Sequence, residues 1–264
     1  MTNRPLALIT GASSGIGAAM ALTFAERGHD LVLLARRRDR LQEVAARAGE
    51  LGAAVETLAV DLSTPDGLAA AAERAAAGDV RLLGSNAGAS GYAPLRDVPA
   101  GDLDALWRLN ATAPVTLAHA VLPSLLATGE GGIVAVASLL AFSSGLTAPG
   151  LPARTLYAAA KSATVAFVRT LAGELAGSGV HATVVCPGQV ATEWSGGANR
   201  NRPDAMTPEE VATAAAVAVA RGETVCLPGM AGPEALDRFQ EAERALLAAG
   251  GRSSLAERYA TATS

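Results

Sequence analysis

The sequence has few cysteines, aromatic residues and histidines. Two cysteines in 264 residues exclude a disulfide-stapled secreted scaffold, and we expect both Cys186 and Cys226 to be reduced core residues of a cytoplasmic protein. Aromatic residues make up 3% of the chain, so the core must consist of aliphatic side chains and alanine. The three histidines lack metal-ligand spacing, and we expect no metal site.

Long apolar runs and a strong net charge are also missing. No uninterrupted apolar stretch reaches the roughly 18 residues of a membrane span, and residues 1–10 lack the basic start and apolar core of a secretory signal. The net charge of −4 gives no general attraction for nucleic acid or anionic lipid. We therefore expect neither a nucleic-acid nor a membrane partner.

Lysine is almost absent, because 20 of the 21 basic residues are arginine and the one lysine is Lys161. Arginine and lysine are not interchangeable where a compact charge must lie beside a titrating group. The role of this lysine therefore depends on its neighbours.

Short apolar segments alternate with amphipathic ones along most of the chain. Apolar strands separated by helices predict a parallel sheet covered on both faces, and right-handed crossovers make it a doubly wound, Rossmann-type α/β sheet of seven strands. We expect a Rossmann-type domain over residues 1–228, with residues 229–264 as a helical extension of the same single domain. The predicted strands are 5–10, 30–35, 54–60, 80–85, 132–138, 182–186 and 224–227. The predicted helices are 14–27, 38–51, 65–77, 102–123, 155–178, 208–221 and 234–249.

A glycine-rich segment follows the first predicted strand and opens the first helix. It reads Thr10-Gly11-Ala12-Ser13-Ser14-Gly15-Ile16-Gly17. Small residues allow the backbone to turn sharply, and the free N–H groups of the helix N-terminus attract phosphate. The segment favours binding of a dinucleotide pyrophosphate over the alternative of a tight turn without a ligand.

The end of the second predicted strand carries arginines and no carboxylate. At this place an acidic residue would hold the ribose 2′-hydroxyl of NAD, whereas an arginine would accept the 2′-phosphate of NADP. The sequence has Arg36, Arg37 and Arg38, and Asp39 falls inside the next helix. We predict that Arg36, alone or with Arg37, binds a 2′-phosphate and that NADP(H) is favoured over NAD(H). The alternative is a solvated basic helix start, although cations there oppose the helix dipole.

Tyr157 and Lys161 are four residues apart in a predicted helix, so both lie on one face. A phenol with a pKa of about 10 is a poor proton donor or acceptor at neutral pH. A nearby ammonium favours the phenolate. The spacing predicts that Lys161 lowers the pKa of Tyr157 and makes this residue a general acid or base. The alternative is an ordinary tyrosine on an alanine-rich helix.

Taken in order, these motifs resemble the short-chain dehydrogenase/reductase family. The family also has N-A-G after the fourth strand, an asparagine on the next helix, a serine after the fifth strand and P-G-x-V-x-T after the sixth. The corresponding residues are Asn86-Ala87-Gly88, Asn110, Ser138 and Pro187-Gly188 with Val190 and Thr192. The resemblance covers nearly the whole chain to the seventh strand. It departs from the family's common N-N-A-G, because Ser85 replaces the first asparagine.

The resemblance implies four catalytic roles. Tyr157 would protonate a carbonyl oxygen while NADPH delivers hydride, and Ser138 would hydrogen-bond the same oxygen. Lys161 would tune Tyr157 and hold the nicotinamide ribose. Asn110 would anchor a water molecule that links Lys161 to bulk solvent.

The resemblance also implies a set of cofactor-binding residues. Asp61 with Leu62 would contact the adenine, the N-A-G segment would line the cofactor, and the residues after the sixth strand would shape the nicotinamide pocket. The full set is Gly11, Ser13, Ser14, Gly15, Ile16, Gly17, Arg36, Arg37, Asp61, Leu62, Asn86, Ala87, Gly88, Tyr157, Lys161, Pro187, Gly188, Val190 and Thr192.

Two criteria point to different residues as the catalytic serine. Ser138 stands at the end of the fifth predicted strand, but it precedes Tyr157 by 19 positions, which is longer than usual in the family. Spacing alone favours Ser144, with Ser143 beside it. The strand end fixes position better than a loop length does, so we predict Ser138 and keep Ser143 and Ser144 as alternatives.

The expected function is NADPH-dependent reduction of a ketone or aldehyde, reversibly an alcohol dehydrogenase, with a small-molecule carbonyl or alcohol as partner. A non-redox epimerase or lyase and a non-catalytic dinucleotide-sensing protein are the alternatives. The family also implies a homodimer or homotetramer packed through helices 102–123 and 155–178, the latter offering Phe167, Leu171 and Leu175. Tyr92 and Trp194 either line an apolar substrate site or pack locally.

Overall fold

The computed structural model describes residues 4–251 and 255–259. Its strands are β1 (Leu6–Thr10), β2 (Asp30–Ala35), β3 (Val55–Ala59), β4 (Val80–Ser85), β5 (Gly131–Val136), β6 (Val180–Val185) and β7 (Val225–Cys226). Its α-helices are α1 (Gly15–Glu26), α2 (Arg38–Glu50), α3 (Pro65–Ala75), α4 (Ala100–Trp107), α5 (Ala113–Thr128), α6 (Thr155–Glu174), α7 (Trp194–Gly197), α8 (Pro208–Ala220) and α9 (Glu234–Gly250). The segment α7 is a single turn and not a regular helix, because Ser195 and Gly196 have left-handed backbone angles.

The strands form one parallel sheet in the order β3-β2-β1-β4-β5-β6-β7. The chain builds one half of the sheet outward from β1, returns to place β4 on the other side of β1, and builds the second half. This reversal opens a crevice at the carboxyl ends of β1 and β4, where doubly wound sheets bind ligands. The predicted fold class is confirmed.

Aliphatic side chains fill a core on each face of the sheet. One face packs against α1, α2 and α8, and its fully buried residues include Ile9, Met20 and Leu41. The other face packs against α3, α5 and α6 around Leu8, Leu117 and Ile133. Alanine is frequent in both cores, as the low aromatic content predicts.

The predicted helix 102–123 is longer and less regular than the sequence pattern indicates. Helical structure runs from Ala100 to Thr128, with a π-helical segment, Arg108–Thr112, between α4 and α5. Pro123 lies inside α5 and does not end it. Gly129, with a φ of 67°, ends the helix in the left-handed conformation. Wide π turns often occur at functional sites, and this one carries Asn110.

The same stretch, Ala100–Thr128, has the length and apolar composition of a membrane span, with a mean hydropathy of 1.3. In the fold, α5 packs on β4 and α3. Leu117, Val121 and Leu125 are fully buried there. This part of the stretch is therefore a core helix that covers the sheet.

Two residues predicted to face a second subunit are buried within the chain. Leu171 and Leu175 on the α6 side each retain 5% exposure and belong to the core beneath that helix. Phe167 packs against the same core. The assignment of Leu171 and Leu175 to a subunit contact is therefore wrong, because these side chains pack in the core between α6 and the sheet.

The chain divides into two compact units after Pro228. The first contains the whole sheet and α1 to α8. The second contains α9, which has no buried residue and presents Leu246 and Leu247 to solvent.

Candidate active site

A cavity of about 920 Å³ lies at the carboxyl ends of the strands, in the crevice beside β1 and β4. Its lining includes every residue predicted from the sequence to be catalytic or cofactor-binding, except Gly17 and Asn110. The segments that follow β1 to β6 all contribute to this lining, which explains how residues distant in sequence meet there.

The glycine-rich turn is held against the segment after β4 by Thr10. The Thr10 hydroxyl accepts hydrogen bonds from the backbone N–H groups of Asn86 (2.9 Å) and Ala87 (3.0 Å). The Asn86 amide donates to the Thr10 carbonyl. A Cβ at Gly11 would lie 2.8 Å from this amide, so only glycine fits so close an approach. Thr10 thus positions both segments, a role that the motif by itself did not indicate.

The N-terminus of α1 faces the cavity without a side-chain cap. Ser14 is the N-cap residue but forms no capping hydrogen bond, because its hydroxyl accepts one from the Arg37 guanidinium (2.7 Å). The first N–H groups of the helix have no intrahelical partner. These groups, on a turn whose Gly11 and Gly15 have φ of 66° and 55°, fit the pyrophosphate of a dinucleotide.

The two arginines after β2 take different partners. The Arg37 guanidinium contacts the hydroxyls of Ser13 (3.2 Å) and Ser14 at the glycine-rich turn. Arg36 is 71% exposed and lies 3.8 Å from Asp61. Burial by itself would raise the pKa of Asp61, but hydrogen bonds from Ser63 and the charge of Arg36 lower it. The structure therefore places Arg37, and not Arg36, against the serines of the glycine-rich turn.

Tyr157 and Lys161 lie on one face of α6, as their spacing predicts. Both are buried, with exposures of 6% and 3%. The Lys161 Nζ is 5.9 Å from the centre of the Tyr157 ring and donates a hydrogen bond to the Val136 carbonyl (2.9 Å). Both residues line the cavity next to the glycine-rich turn.

Burial raises the pKa of Tyr157 above its ordinary value, and the neighbouring Tyr92 raises it further, while a hydrogen bond from Ser138 lowers it. Burial also lowers the pKa of Lys161 to about 8. The net shift of the Tyr157 pKa is therefore upward, because desolvation opposes the phenolate and the Lys161 ammonium donates its hydrogen bond to Val136. The lowering of this pKa by Lys161 stays a prediction.

Ser138 is the serine that meets the phenol. Its hydroxyl hydrogen-bonds Tyr157 and accepts from the Leu140 N–H (3.1 Å). Ser143 instead donates to the Leu140 carbonyl (2.7 Å) and accepts from Arg154 (2.7 Å), which makes it part of the loop scaffold. Ser144 is exposed and does not line the cavity.

Asn110 lies behind the cavity wall. Its side-chain oxygen accepts from the Ala89 N–H (3.2 Å), and its amide donates to the carbonyls of Ala89 and Leu106 (3.0 Å each). Its own carbonyl accepts from Thr164 (3.1 Å), which is possible because the π turn frees that carbonyl. Asn110 thereby ties the segment after β4 to α6. A Cβ at Gly88 would lie 2.9 Å from the Asn110 side-chain oxygen and 3.5 Å from the Lys161 Nζ, so both side chains are close to this glycine.

Tyr92 and Trp194 flank the phenol, although the sequence pattern left their roles open. The Tyr92 ring packs edge-on at 5.1 Å from the Tyr157 ring, and the Trp194 ring lies at 5.9 Å. Glu193, beside Trp194, pairs with Arg37 and was not predicted at all. The sequence named Tyr92 and Trp194 with two alternatives and gave no signal for Glu193, because each acts through a contact with a distant part of the chain.

The two cysteines are buried and are not joined in a disulfide. Cys186 packs in the core beneath α6, whereas Cys226 packs on the opposite face of the sheet. Burial raises the pKa of Cys186 to about 12 and that of Cys226 to about 11. Among residues 4–251 and 255–259, no three His, Cys, Asp or Glu side chains lie close enough to hold a metal ion.

Comparison with known proteins identifies relatives of the chain. A family model described as short chain dehydrogenase matches residues 5–203. A short chain dehydrogenase from Pseudocercospora fijiensis is 37% identical over 192 residues, which make up 71% of this chain and 60% of that protein. The chain thus matches less than two thirds of this relative's length.

Solved structures extend the similarity to almost the entire chain. A short-chain dehydrogenase from Sphingobium yanoikuyae in complex with NADPH superposes with a TM-score of 0.89 and 36% identity, covering 97% of this chain and 100% of that one. The bulky-bulky ketone specific alcohol dehydrogenase from Comamonas testosteroni gives a TM-score of 0.88 and 32% identity, covering 98% and 99%. By sequence and by fold, this chain belongs to the short-chain dehydrogenase family and is an NAD(P)-dependent oxidoreductase.

Proposed function

We propose that the protein reduces a ketone or aldehyde with NADPH and, in the reverse direction, oxidises the corresponding alcohol. The observation that carries this proposal is the buried Tyr157 phenol, which lies on the cavity wall with Ser138 and Lys161 beside it. Bound NADPH supplies the hydride that such a reduction requires.

Tyr157 acts as the general acid. The phenol is protonated at neutral pH, so it can give its proton to the carbonyl oxygen as negative charge develops there. Ser138 donates a second hydrogen bond to the same oxygen. Lys161 is held by Val136 beneath the phenol and positions the ribose end of the cofactor. A protonated phenol suits reduction, whereas alcohol oxidation needs the phenolate and should accelerate as the pH rises.

The arginine and serine side chains at the glycine-rich turn support a preference for NADP(H) over NAD(H). Arg37 presents a guanidinium that can take a phosphate on two nitrogens, and the Ser13 and Ser14 hydroxyls add further donors. The NADPH complex of the Sphingobium relative agrees with this preference. The name of the Comamonas relative favours ketones with two large substituents as the first substrates to test.

The test is hydride transfer from NADPH and from NADH to a panel of bulky ketones and aldehydes. Replacing Tyr157→Phe should lower the reduction rate by about 10²- to 10⁴-fold while NADPH binding persists, because only the proton donor is lost. Ser138→Ala should also lose rate, whereas the matched variant Ser144→Ala should retain it. Full activity of Tyr157→Phe would refute the assigned acid, and substrate turnover without net consumption of NADPH would indicate a non-redox reaction.

Assembly into a homodimer or homotetramer and a cytoplasmic location stay predictions from the sequence and its family resemblance. Sedimentation or light scattering at micromolar concentration measures the first directly. A monomer under those conditions would contradict it.

A further inference from the structure

Glu193 lies at the centre of a cluster of three arginines. Its two carboxylate oxygens are 3.1 Å from Arg37, 3.1 Å from Arg40 and 3.2 Å from Arg200. Hydrogen bonds from Arg37 and Arg40 lower the pKa of Glu193, so the carboxylate is ionised at neutral pH. The cluster connects the start of α2, which contributes Arg37 and Arg40, with the segment after β6, which contributes Glu193. These two parts of the chain are more than 150 positions apart in sequence.

Arg37 is shared between this carboxylate and the glycine-rich turn. The same guanidinium that contacts Glu193 through one nitrogen contacts Ser13 and Ser14 through another. Thr192, the residue before Glu193, lies directly over the turn, since a Cβ at Gly15 would be 3.1 Å from its methyl carbon. The carboxylate therefore occupies the arginine site where a phosphate next to Ser13 and Ser14 would bind.

We propose that Glu193 is an internal anion that fills the arginine site expected to receive the 2′-phosphate of NADP(H), and that it must leave Arg37 before that phosphate can bind. Glu193 is then a specificity-determining residue, because it penalises NADP(H) and leaves NAD(H) unaffected. This inference rests on the proposed preference for NADP(H).

Electrostatics and local geometry both support the exchange. Two anions on one guanidinium repel each other, so the carboxylate and the phosphate compete for Arg37. The side chain of Glu193 is 36% exposed and those of its three arginine partners are 46–58% exposed, and ion pairs this exposed are weak enough to be replaced by a doubly charged phosphate. Ser195, Gly196 and Gly197 follow directly with φ of 50°, 74° and 80°, so a left-handed turn begins two residues after the carboxylate. If Glu193 moves away from Arg37, the backbone has to bend close to Glu193, and this turn lies at that place.

The experiment measures binding of two nucleotides to the full-length protein by calorimetry. Adenosine 2′,5′-bisphosphate carries the additional phosphate, and adenosine 5′-monophosphate lacks it. Glu193→Gln should bind the bisphosphate about three- to tenfold more tightly than the wild type, a factor expected when exposed ion pairs no longer compete. Binding of the monophosphate should be unchanged.

Glu43→Gln is the matched control. Glu43 lines the surface groove that Arg40 and Glu193 also line, and it forms no ion pair within the described residues. This variant removes the same charge nearby and should leave both affinities at wild-type values. Arg37→Gln should abolish the advantage of the bisphosphate in the wild-type and in the Glu193→Gln background.

Two results would overturn the inference alone. Bisphosphate binding that is unchanged or weaker in Glu193→Gln would mean that the carboxylate does not compete with phosphate. Equal tightening in Glu43→Gln would mean that only overall charge matters. A wild-type protein that binds both nucleotides equally would instead contradict the proposed NADP(H) preference, and the inference with it.

Discussion

Tyr157 depends for its acidity on residues that are distant in sequence. Among the groups that face it, Tyr92 and Cys186 raise its pKa, Ser138 lowers it, and burial has the largest effect. Lys161 lies below the ring, and burial lowers its own pKa to about 8. The reactive phenol is therefore controlled by its packing as much as by the helical spacing of the Tyr-Lys pair.

Replacing Tyr92→Phe should make alcohol oxidation faster at mildly alkaline pH. The change removes a hydroxyl that raises the pKa of Tyr157, so the phenolate that oxidation requires forms at lower pH. The measurement is kcat/KM for oxidation as a function of pH, whose rising limb should move to lower pH. Trp194→Phe is the control, because Trp194 contacts the same ring without contributing a titratable group. An unmoved limb in Tyr92→Phe would contradict the prediction.

Lys161→Met should stabilise the protein while it abolishes activity. The pKa of Lys161 is about 8 in the folded chain, below its ordinary value of 10.5, so the buried ammonium costs stability. Replacement by methionine should raise the free energy of unfolding by about 1–2 kcal/mol at pH 7, after loss of the hydrogen bond to Val136.

The same variant makes a prediction about pH. Between pH 8 and 10.5 the unfolded chain holds a proton that the folded chain has released, so the stability of the wild type rises with pH across this window. The advantage of Lys161→Met should therefore be largest below pH 8 and shrink towards pH 10. Urea unfolding at pH 7 and pH 9.5 measures the difference, and a variant less stable at pH 7 would refute the argument.

The first turn of α1 packs so closely against the glycine-rich turn before it that there is no room for a Cβ at Gly17. A Cβ at Gly17 would overlap the Gly11 carbonyl oxygen and lie 2.5 Å from the Asn86 amide. Gly17→Ala should thus lower the free energy of unfolding by about 1–3 kcal/mol and weaken dinucleotide binding. Gly101→Ala, at an open position in α4, should leave stability equal or higher. Chemical denaturation of both variants checks the contrast, and equal stability would contradict it.

The helical stretch between β4 and β5 shows where a local pattern is insufficient. Apolar spacing predicts one helix ending at Pro123, yet the chain widens into a π turn at Arg108–Thr112 and continues through the proline to Thr128. The turn is stabilised by contacts of Asn110 with Ala89 and Thr164, which belong to other parts of the fold. A proline in a helix costs stability, and the buried face of α5 offsets that cost.

The division after Pro228 predicts how much of the chain is needed for folding. Both cores and the lining of the cavity belong to residues before this point. A chain ending at Pro228 should unfold in one cooperative transition, with a free energy within about 1 kcal/mol of that of the full chain, and should bind NADPH. Calorimetry and NADPH titration provide the measurement.

A second truncation serves as the control for the first. A chain ending at Arg221 also loses β7, with buried Cys226 and the hydrogen bonds that Thr224 and Cys226 accept from Val184 and Cys186. It should be markedly less stable than the chain ending at Pro228. If both truncations unfold alike, the boundary of the folded unit lies elsewhere.

Local patterns in the amino-acid sequence are enough to establish the order of strands and helices, the doubly wound sheet and the residues around its crevice. Strand periodicity, glycine-rich turns and the four-residue spacing of Tyr157 and Lys161 are properties of short segments. They can be recognised in the sequence without knowledge of the tertiary contacts. The residues that these patterns and the family resemblance together predict to be catalytic or cofactor-binding line one cavity, except Gly17 and Asn110.

What those residues can do depends on long-range packing. The folded chain brings Ser138 into contact with the phenol, places Arg37 instead of Arg36 against the serines, and brings Tyr92, Trp194 and Glu193 to the site. It also gives Tyr157 a net upward pKa shift, because loss of water around a buried group depends on every element packed over it. Contacts between distant segments and the desolvation they cause exist only in the folded chain, so no local pattern encodes them.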